Sequence, residues 1–190
     1  MAAALDLGPL ETDKWDPRLA TIAAEMRGRP LNVHKLLANN PDLLIAWWNF
    51  RNHVVSGGKL TDRYRELIVL RVAVHMQCWY EWASHVERGL KAGLSLQEIE
   101  AVRTGDFSAD WSTTDELVLR AADECFDEQH ITRETYYAMR AHFSSGELMD
   151  LVAICGAYIT LGIMINTWGL ELDEFVEAQG IVDADSWRQD

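Results

Sequence analysis

Apolar residues recur along this chain at three- and four-residue intervals, the spacing of one face of a helix. Leu43, Leu44, Trp47, Trp48 and Val54 form the first strong stripe, closed by Gly57-Gly58. Before it, Pro17 suits the first turn of a helix running to about Arg27, with Asp16 as its cap and Gly28 and Pro30 as its end. Asn32 caps a short helix that stops before Pro41. From Asp62 to Leu90 there is one glycine, Gly89, and no proline, and Leu67, Leu70, Val74 and Cys78 keep the helical spacing. Capped by Thr61 or Asp62, this stretch predicts either one long helix or two with a short break near Trp79. Gly93 ends it, and Ser95 with Glu98 matches a capping box opening a short helix to about Arg103.

Gly105 to Ser112 reads as a loop. Thr113 or Thr114 caps a helix through about Glu128, with Leu117, Ala121 and Cys125 on one face, and Thr132 caps another through about Phe143. Glu147 to Leu170 predicts a long, strongly apolar helix, mildly interrupted by Gly156 and Gly162. No segment alternates with a two-residue period, so no sheet is expected. The segment Arg65 to Arg71 faintly echoes Asp115 to Arg120, as two related helical halves would. The expected fold is all-α: one helical domain over residues 15–175, a lead-in over 1–14 and an acidic tail over 176–190.

Composition narrows the function. Seventeen Lys and Arg against thirty Asp and Glu give a net charge of −13. A nucleic-acid or anionic-membrane partner calls for a concentrated positive surface, so neither is expected. The acids are spread along the chain and read as a solubilising surface. No uninterrupted apolar run approaches the ~20 residues of a membrane span. MAAALDLGPLETDKW has no basic n-region, so a cytoplasmic location is expected. The three cysteines, Cys78, Cys125 and Cys155, are odd in number and form no CxxC pair, which argues against a disulfide framework.

Reactive side chains concentrate between Glu66 and His85. Helical residues advance about 100° each. Glu81 and His85, four apart, therefore share a face, and Cys78, seven before His85, joins them if the helix is continuous. Glu66 falls further round and joins only through a helix break or the packing of two helices. A carboxylate beside an imidazole can orient it for acid–base work. A thiol beside an imidazole can become a nucleophile. A Glu-x-x-x-His pair can supply two metal ligands. The bland alternative is an ordinary i,i+4 pair on a helix surface, with Cys78 a small core residue.

The stretch Glu66-x11-Cys78-x2-Glu81-x3-His85, continuing into Gly-Leu-Lys-Ala-Gly-Leu-Ser-Leu-Gln-Glu-Ile, resembles the carboxymuconolactone decarboxylase and alkylhydroperoxidase D-like superfamily. The likeness extends from about Pro41 to Leu170 and includes Tyr158 and Asn166. Tyr80-Glu81-Trp82 with His85 is similar to a subgroup with a Tyr-Glu-Trp-x-x-His signature. Glu66, Cys78 and His85 match the glutamate, first cysteine and histidine of the peroxidase branch, but Glu81 stands where the second, peroxide-reactive cysteine would be. A dithiol cycle needs both sulfurs, so the departure disfavours peroxidase activity unless Cys125 or Cys155 arrives through the fold. The decarboxylase branch implies acid–base residues in an apolar pocket, with no metal and no organic cofactor.

The resulting expectation is a cofactor-independent acid–base enzyme, a decarboxylase or related lyase or isomerase, acting on a small organic acid or lactone-like molecule. His85 is its acid–base group, Glu81 its partner or a second acid, and Glu66 the orienting carboxylate. Cys78, Tyr80, Trp82, His75, Trp48 and Asn166 are expected at the substrate. The resemblance also implies a homo-oligomer, a trimer or hexamer. Two other readings remain: a thiol-dependent peroxidase or redox protein using Cys78, and a non-enzymatic ligand-binding oligomer. His34, His130 and His142 are expected on the surface. Pocket lining by His53 and a substrate-carboxylate role for Arg71 are considered, the latter against a salt bridge to Glu66 or Glu116.

Overall fold

A computed structural model describes residues 7–105 and 111–177. Ten α-helices run through them: α1 Ala20–Glu25, α2 Asn32–Leu37, α3 Pro41–Asn52, α4 Asp62–His75, α5 Trp79–Lys91, α6 Leu96–Thr104, α7 Thr113–Asp127, α8 Arg133–Met139, α9 Ser145–Trp168 and α10 Glu174–Glu177. No strand occurs among the described residues. Most helix starts follow local side-chain chemistry. Asn40, Thr61, Ser95, Ser112, Thr132 and Ser144 each accept a hydrogen bond from a backbone N–H in the first turn of the helix that follows, a cap typically worth about 1 kcal/mol. Ser95 with Glu98 and Ser144 with Glu147 form capping boxes.

Several boundaries differ from the sequence expectation. Asp16 caps a 3₁₀ turn, Pro17–Leu19, that leads into α1. Asn32 is the first residue of α2 rather than its cap; its backbone N–H and side chain donate to Asp173 and to the Glu171 carbonyl, binding the helix to the chain's later segment. Ser112, not Thr113 or Thr114, caps α7. Most of the Gly105–Ser112 loop and of the acidic tail lies outside the described residues.

α4 is the axis of the fold. Leu67, Ile68, Val69 and Leu70 are consecutive and all fully buried. Four successive helical residues point around most of the circumference, so α4 must be covered on every side. α5, α6, α7 and α9 cover it, contributing Val86, Val102, Val118, Leu119, Leu151 and Ile154 to the main core. Arg63 pairs with Asp115 and Arg71 with Asp123, at one common sequence offset, so α4 and α7 lie parallel and in register. The two echoing segments fall on these two helices. A Cβ on Gly162 would stand 3.2 Å from Met76 Cβ and Cγ, so the glycine allows α9 to approach the end of α4 closely.

A second, smaller cluster joins α1–α3 to the start of α5 and the latter half of α9 through Leu19, Val33, Leu44, Trp48, Cys78, Tyr80 and Ile165. α9, at 24 residues, is the longest helix among the described residues. By length and composition it could cross a bilayer, because its glycines, threonines and single asparagine barely lower its mean hydropathy. Here 44% of that apolar window is buried against the protein itself.

Candidate active site

The site begins where α4 stops. Gln77 takes a left-handed conformation, φ 48°. Its N–H bonds to the Val74 carbonyl and the next N–H, of Cys78, to the Ala73 carbonyl, a Schellman ending. Cys78 then stands as the N-cap of α5 with non-helical φ and ψ. The chain folds back, and α5 packs along α4. Of the two readings left open for residues 62–90, the structure has two helices.

This reversal brings Glu66 to His85. His85 Nδ1 lies 2.7 Å from Glu66 Oε2, and both side chains are buried. A carboxylate only accepts, so Nδ1 carries the proton and Nε2 presents its lone pair in the neutral ring. Nε2 faces Glu81 Oε2 at 3.5 Å and Arg88 Nη1 at 3.3 Å. The Tyr158 ring meets the imidazole edge-on, centroids 5.2 Å apart. Burial holds His85 below its ordinary value, partly offset by the Glu66 charge. Burial pushes Glu81 up to about 7, against the pull of Arg88. Near neutrality the imidazole is therefore neutral, and burial favours the protonated form of Glu81.

Glu81, Ser84, His85 and Arg88 form one polar stripe on α5 and open onto a narrow cavity of about 40 Å³, room for about three waters. α2 contributes Val33 and His34, α3 contributes Trp47 and Arg51, and α9 contributes Ala157, Tyr158 and Leu161. The cavity thus lies in the seam between the two hydrophobic clusters. Ser84 Oγ is buried there with no hydrogen-bond partner among the described residues. Neither Arg51 nor Arg88 pairs with a carboxylate within 4 Å among the described residues. Arg51 is held below the ordinary guanidinium value by burial, and its cation lies 5.0 Å over the Trp48 ring. Among the described residues no group of three His, Cys, Asp or Glu is arranged to hold a metal ion.

The expected substrate residues scatter. Tyr80 does line the cavity, with its hydroxyl donating to Asp173 Oδ2 at 2.6 Å. Trp48 stands behind the wall, edge-on to His34 and donating its indole N–H to Glu25. Cys78 is fully buried in the smaller cluster, outside the cavity lining, and burial followed by the Glu81 charge pushes its thiol up to about 12. The face shared by residues 81 and 85 does not extend to 78, because the helix starts after it. Trp82 packs in the main core. His75 pairs with Asp123 at 2.7 Å and stacks on Phe126, away from the cavity. Asn166 is exposed and donates to the Met76 carbonyl at 2.8 Å, tying α9 to the end of α4.

Other side chains also fall differently. His34 is buried, not a surface residue. Its Nδ1 accepts the Leu31 N–H, and burial drives it down to about 3, so it offers a neutral Nε2–H. His53 pairs with Asp150 on the surface, and Arg71 is taken up by Asp123 and the Val102 carbonyl. Sequence reasoning missed Ser84 and Arg88, although the spacing that linked Glu81 to His85 continues to both. Arg51 had a similar signal, four residues after Trp47 on α3. His34 had none.

Residues 41–124 match the carboxymuconolactone decarboxylase family. No curated protein matches the chain in sequence. Solved structures share the fold. The alkylhydroperoxidase AhpD core of a peroxidase-related protein from Ralstonia eutropha has a TM-score of 0.79 at 21% identity, over 94% of this chain and 99% of its own. The debrominase Bmp8, as a cysteine-to-alanine variant in complex with 2,3,4-tribromopyrrole, has a TM-score of 0.76 at 13% identity, over 97% and 98%. A protein of unknown function from Agrobacterium tumefaciens, assigned to AhpD antioxidant defence, has a TM-score of 0.66 at 23% identity, over 72% and 94%.

Proposed function

We propose that the chain, whose residues 41–124 match the carboxymuconolactone decarboxylase family, is a member of the carboxymuconolactone decarboxylase and alkylhydroperoxidase D-like superfamily and works as a cofactor-independent acid–base enzyme, a decarboxylase or related lyase acting on a small organic acid. The observation that carries this reading is the buried line Glu66–His85–Glu81 at the wall of a cavity that also holds two guanidiniums, Arg51 and Arg88, with no carboxylate within 4 Å among the described residues. Arg51 and Arg88 would take the substrate's carboxylate, since a guanidinium forks onto two oxygens. Glu66 fixes the tautomer of His85, whose Nε2 takes or returns a proton at the substrate. Glu81, near neutral by burial, supplies the complementary acid, and Ser84 offers a further hydrogen bond.

A thiol mechanism at Cys78 is less well supported: burial favours the unreactive protonated form, and no second sulfur stands beside it.

The test is turnover of a panel of small mono- and dicarboxylic acids, read as substrate loss and carbon dioxide release. His85→Ala should lower turnover by ~10²–10⁴-fold with helicity unchanged, and Cys78→Ser should keep it. Equal turnover by wild type and His85→Ala, or loss of turnover in Cys78→Ser alone, would overturn the reading.

A further inference from the structure

The cavity has an antechamber. A second hollow, of about 280 Å³ against the cavity's 40 Å³, shares three lining residues with it: Leu31, His34 and Arg51. These three form the partition between the two spaces. The outer space is lined also by Glu25 and Arg29, both exposed, so it opens to solvent. The partition is built around Trp48. Glu25 Oε2 accepts the Trp48 indole N–H at 2.6 Å, the His34 ring meets Trp48 edge-on with centroids 5.4 Å apart, and the Arg51 cation lies 5.0 Å over the same ring. The Leu31 N–H donates to His34 Nδ1 at 3.4 Å.

Size and charge both make this partition the way in. The cavity holds about three waters, so an organic acid larger than that enters only where a wall yields. Glu81, His85, Ala157 and Tyr158 on the far side are all buried in packed helices, and interiors at that density resist displacement. Leu31 and Arg51 are only half-buried, and turning their side chains leaves the helices in place. The chain's net charge of −13 repels an incoming anion. At the antechamber, neither Arg29 nor Arg51 has a carboxylate within 4 Å among the described residues, while the Glu25 carboxylate is engaged by Trp48. A cationic mouth in a negative surface gathers anions locally.

We infer that the antechamber is the substrate's entry route and that Leu31, His34 and Arg51 decide what passes, admitting small organic anions over neutral molecules of the same size. Arg29 meets the anion first, and Arg51, which lines both spaces, carries it through to Arg88 inside. Leu31 and the His34 ring limit the width. The identity of the anion as a substrate rests on the acid–base reading of the cavity; the route and its charge preference rest on the partition.

The experiment places a thiol inside the cavity by Ser84→Cys in the full chain, with Ala157→Cys on the α9 wall as the substitute if the first variant does not fold. The rate at which that thiol is alkylated by iodoacetate, an anion, and by iodoacetamide, its neutral counterpart, is followed by peptide mapping, which separates it from the native cysteines. Adding Leu31→Trp should slow both reagents. Adding Arg51→Met should cut the iodoacetate rate about tenfold, the lower end of what a charged cleft gives an anion, and leave iodoacetamide unchanged. Arg29→Gln, outside the cavity, should also slow iodoacetate alone. No alkylation of either introduced thiol, a block by Val55→Trp but not by Leu31→Trp, or equal effects of Arg29→Gln on both reagents would each overturn the route. Alkylation does not depend on turnover. If it follows this pattern while no acid is turned over, the route stands and the acid–base reading falls. If His85-dependent turnover keeps its kcat/KM in Leu31→Trp, the route falls alone.

Discussion

His85 Nδ1 stands 2.7 Å from Glu66 Oε2, joining two buried side chains nineteen residues apart on different helices. The contact fixes the imidazole tautomer and opposes the effect of burial on its charge. Glu66→Gln retains a carbonyl that can accept the Nδ1–H but removes the charge that raises His85. It should lower kcat about 10–100-fold, within the range of acid–base assistance, and move the acid limb of the rate profile to lower pH. Glu66→Asp should recover part of the rate. An unchanged profile in Glu66→Gln would remove Glu66 from the mechanism.

The rate should be bell-shaped in pH. His85 must be neutral to accept a proton, and burial keeps it neutral to below its ordinary 6.5. Glu81 must hold its proton to act as an acid, which it does up to about 7. The two limbs report the coupled pair rather than either residue alone. Glu81→Gln should abolish the alkaline limb.

The same group predicts a stability effect with a definite sign. The folded protein binds the Glu81 proton more tightly than the unfolded chain does. The cost of burying its charge is absent below the ordinary 4.5 and grows as pH rises through about 7. Urea midpoints of wild type and Glu81→Gln should therefore diverge as pH rises across this window, with the variant the more stable at the alkaline end. A constant difference would argue against a buried, proton-holding Glu81.

Arg51 and Arg88 give a binding prediction. A hydrogen bond to a charged group is worth ~1.5–3 kcal/mol, so Arg51→Met or Arg88→Met should raise KM for a carboxylate substrate about 10–100-fold. The loss of kcat should be smaller. A thermal-shift titration with the same acids should show the weakened binding directly, and equal shifts in variant and wild type would refute it.

Gln77 holds the break between α4 and α5 at a positive φ without being glycine. A left-handed conformation costs an L-residue ~1–2 kcal/mol, and glycine's extra chain entropy takes back ~0.5–1 kcal/mol. Gln77→Gly should therefore stabilise the fold by about 0.5–1 kcal/mol, read as a higher denaturant midpoint at unchanged slope. A loss of stability would mean that the Gln77 side chain makes a compensating contact.

Much of the fold was legible in the sequence because its causes are local. Thr61, Ser95, Glu98 and Thr132 signal helix starts through hydrogen bonds that span three residues. The apolar period marks the buried faces of α4, α7 and α9 wherever the chain packs them. The i,i+4 pair of Glu81 and His85 is likewise a property of one helix. Locality also explains the errors. Cys78 shares the face of His85 only if the helix runs through it, and a left-handed Gln77 carries no strong sequence signal.

What the sequence by itself determined was the set of helices and the polar stripe on α5. The tertiary structure alone decided that α5 folds back so that Glu66 meets His85. It also decided that His34 and Arg51 arrive from the N-terminal helices to complete the cavity. Each of these is a contact between distant segments, and its geometry depends on crossing angles and packing that no single stretch of chain encodes. The chemistry of the site therefore depends on burial: a histidine held neutral and a glutamate held near neutrality are properties of the packed interior, not of either residue.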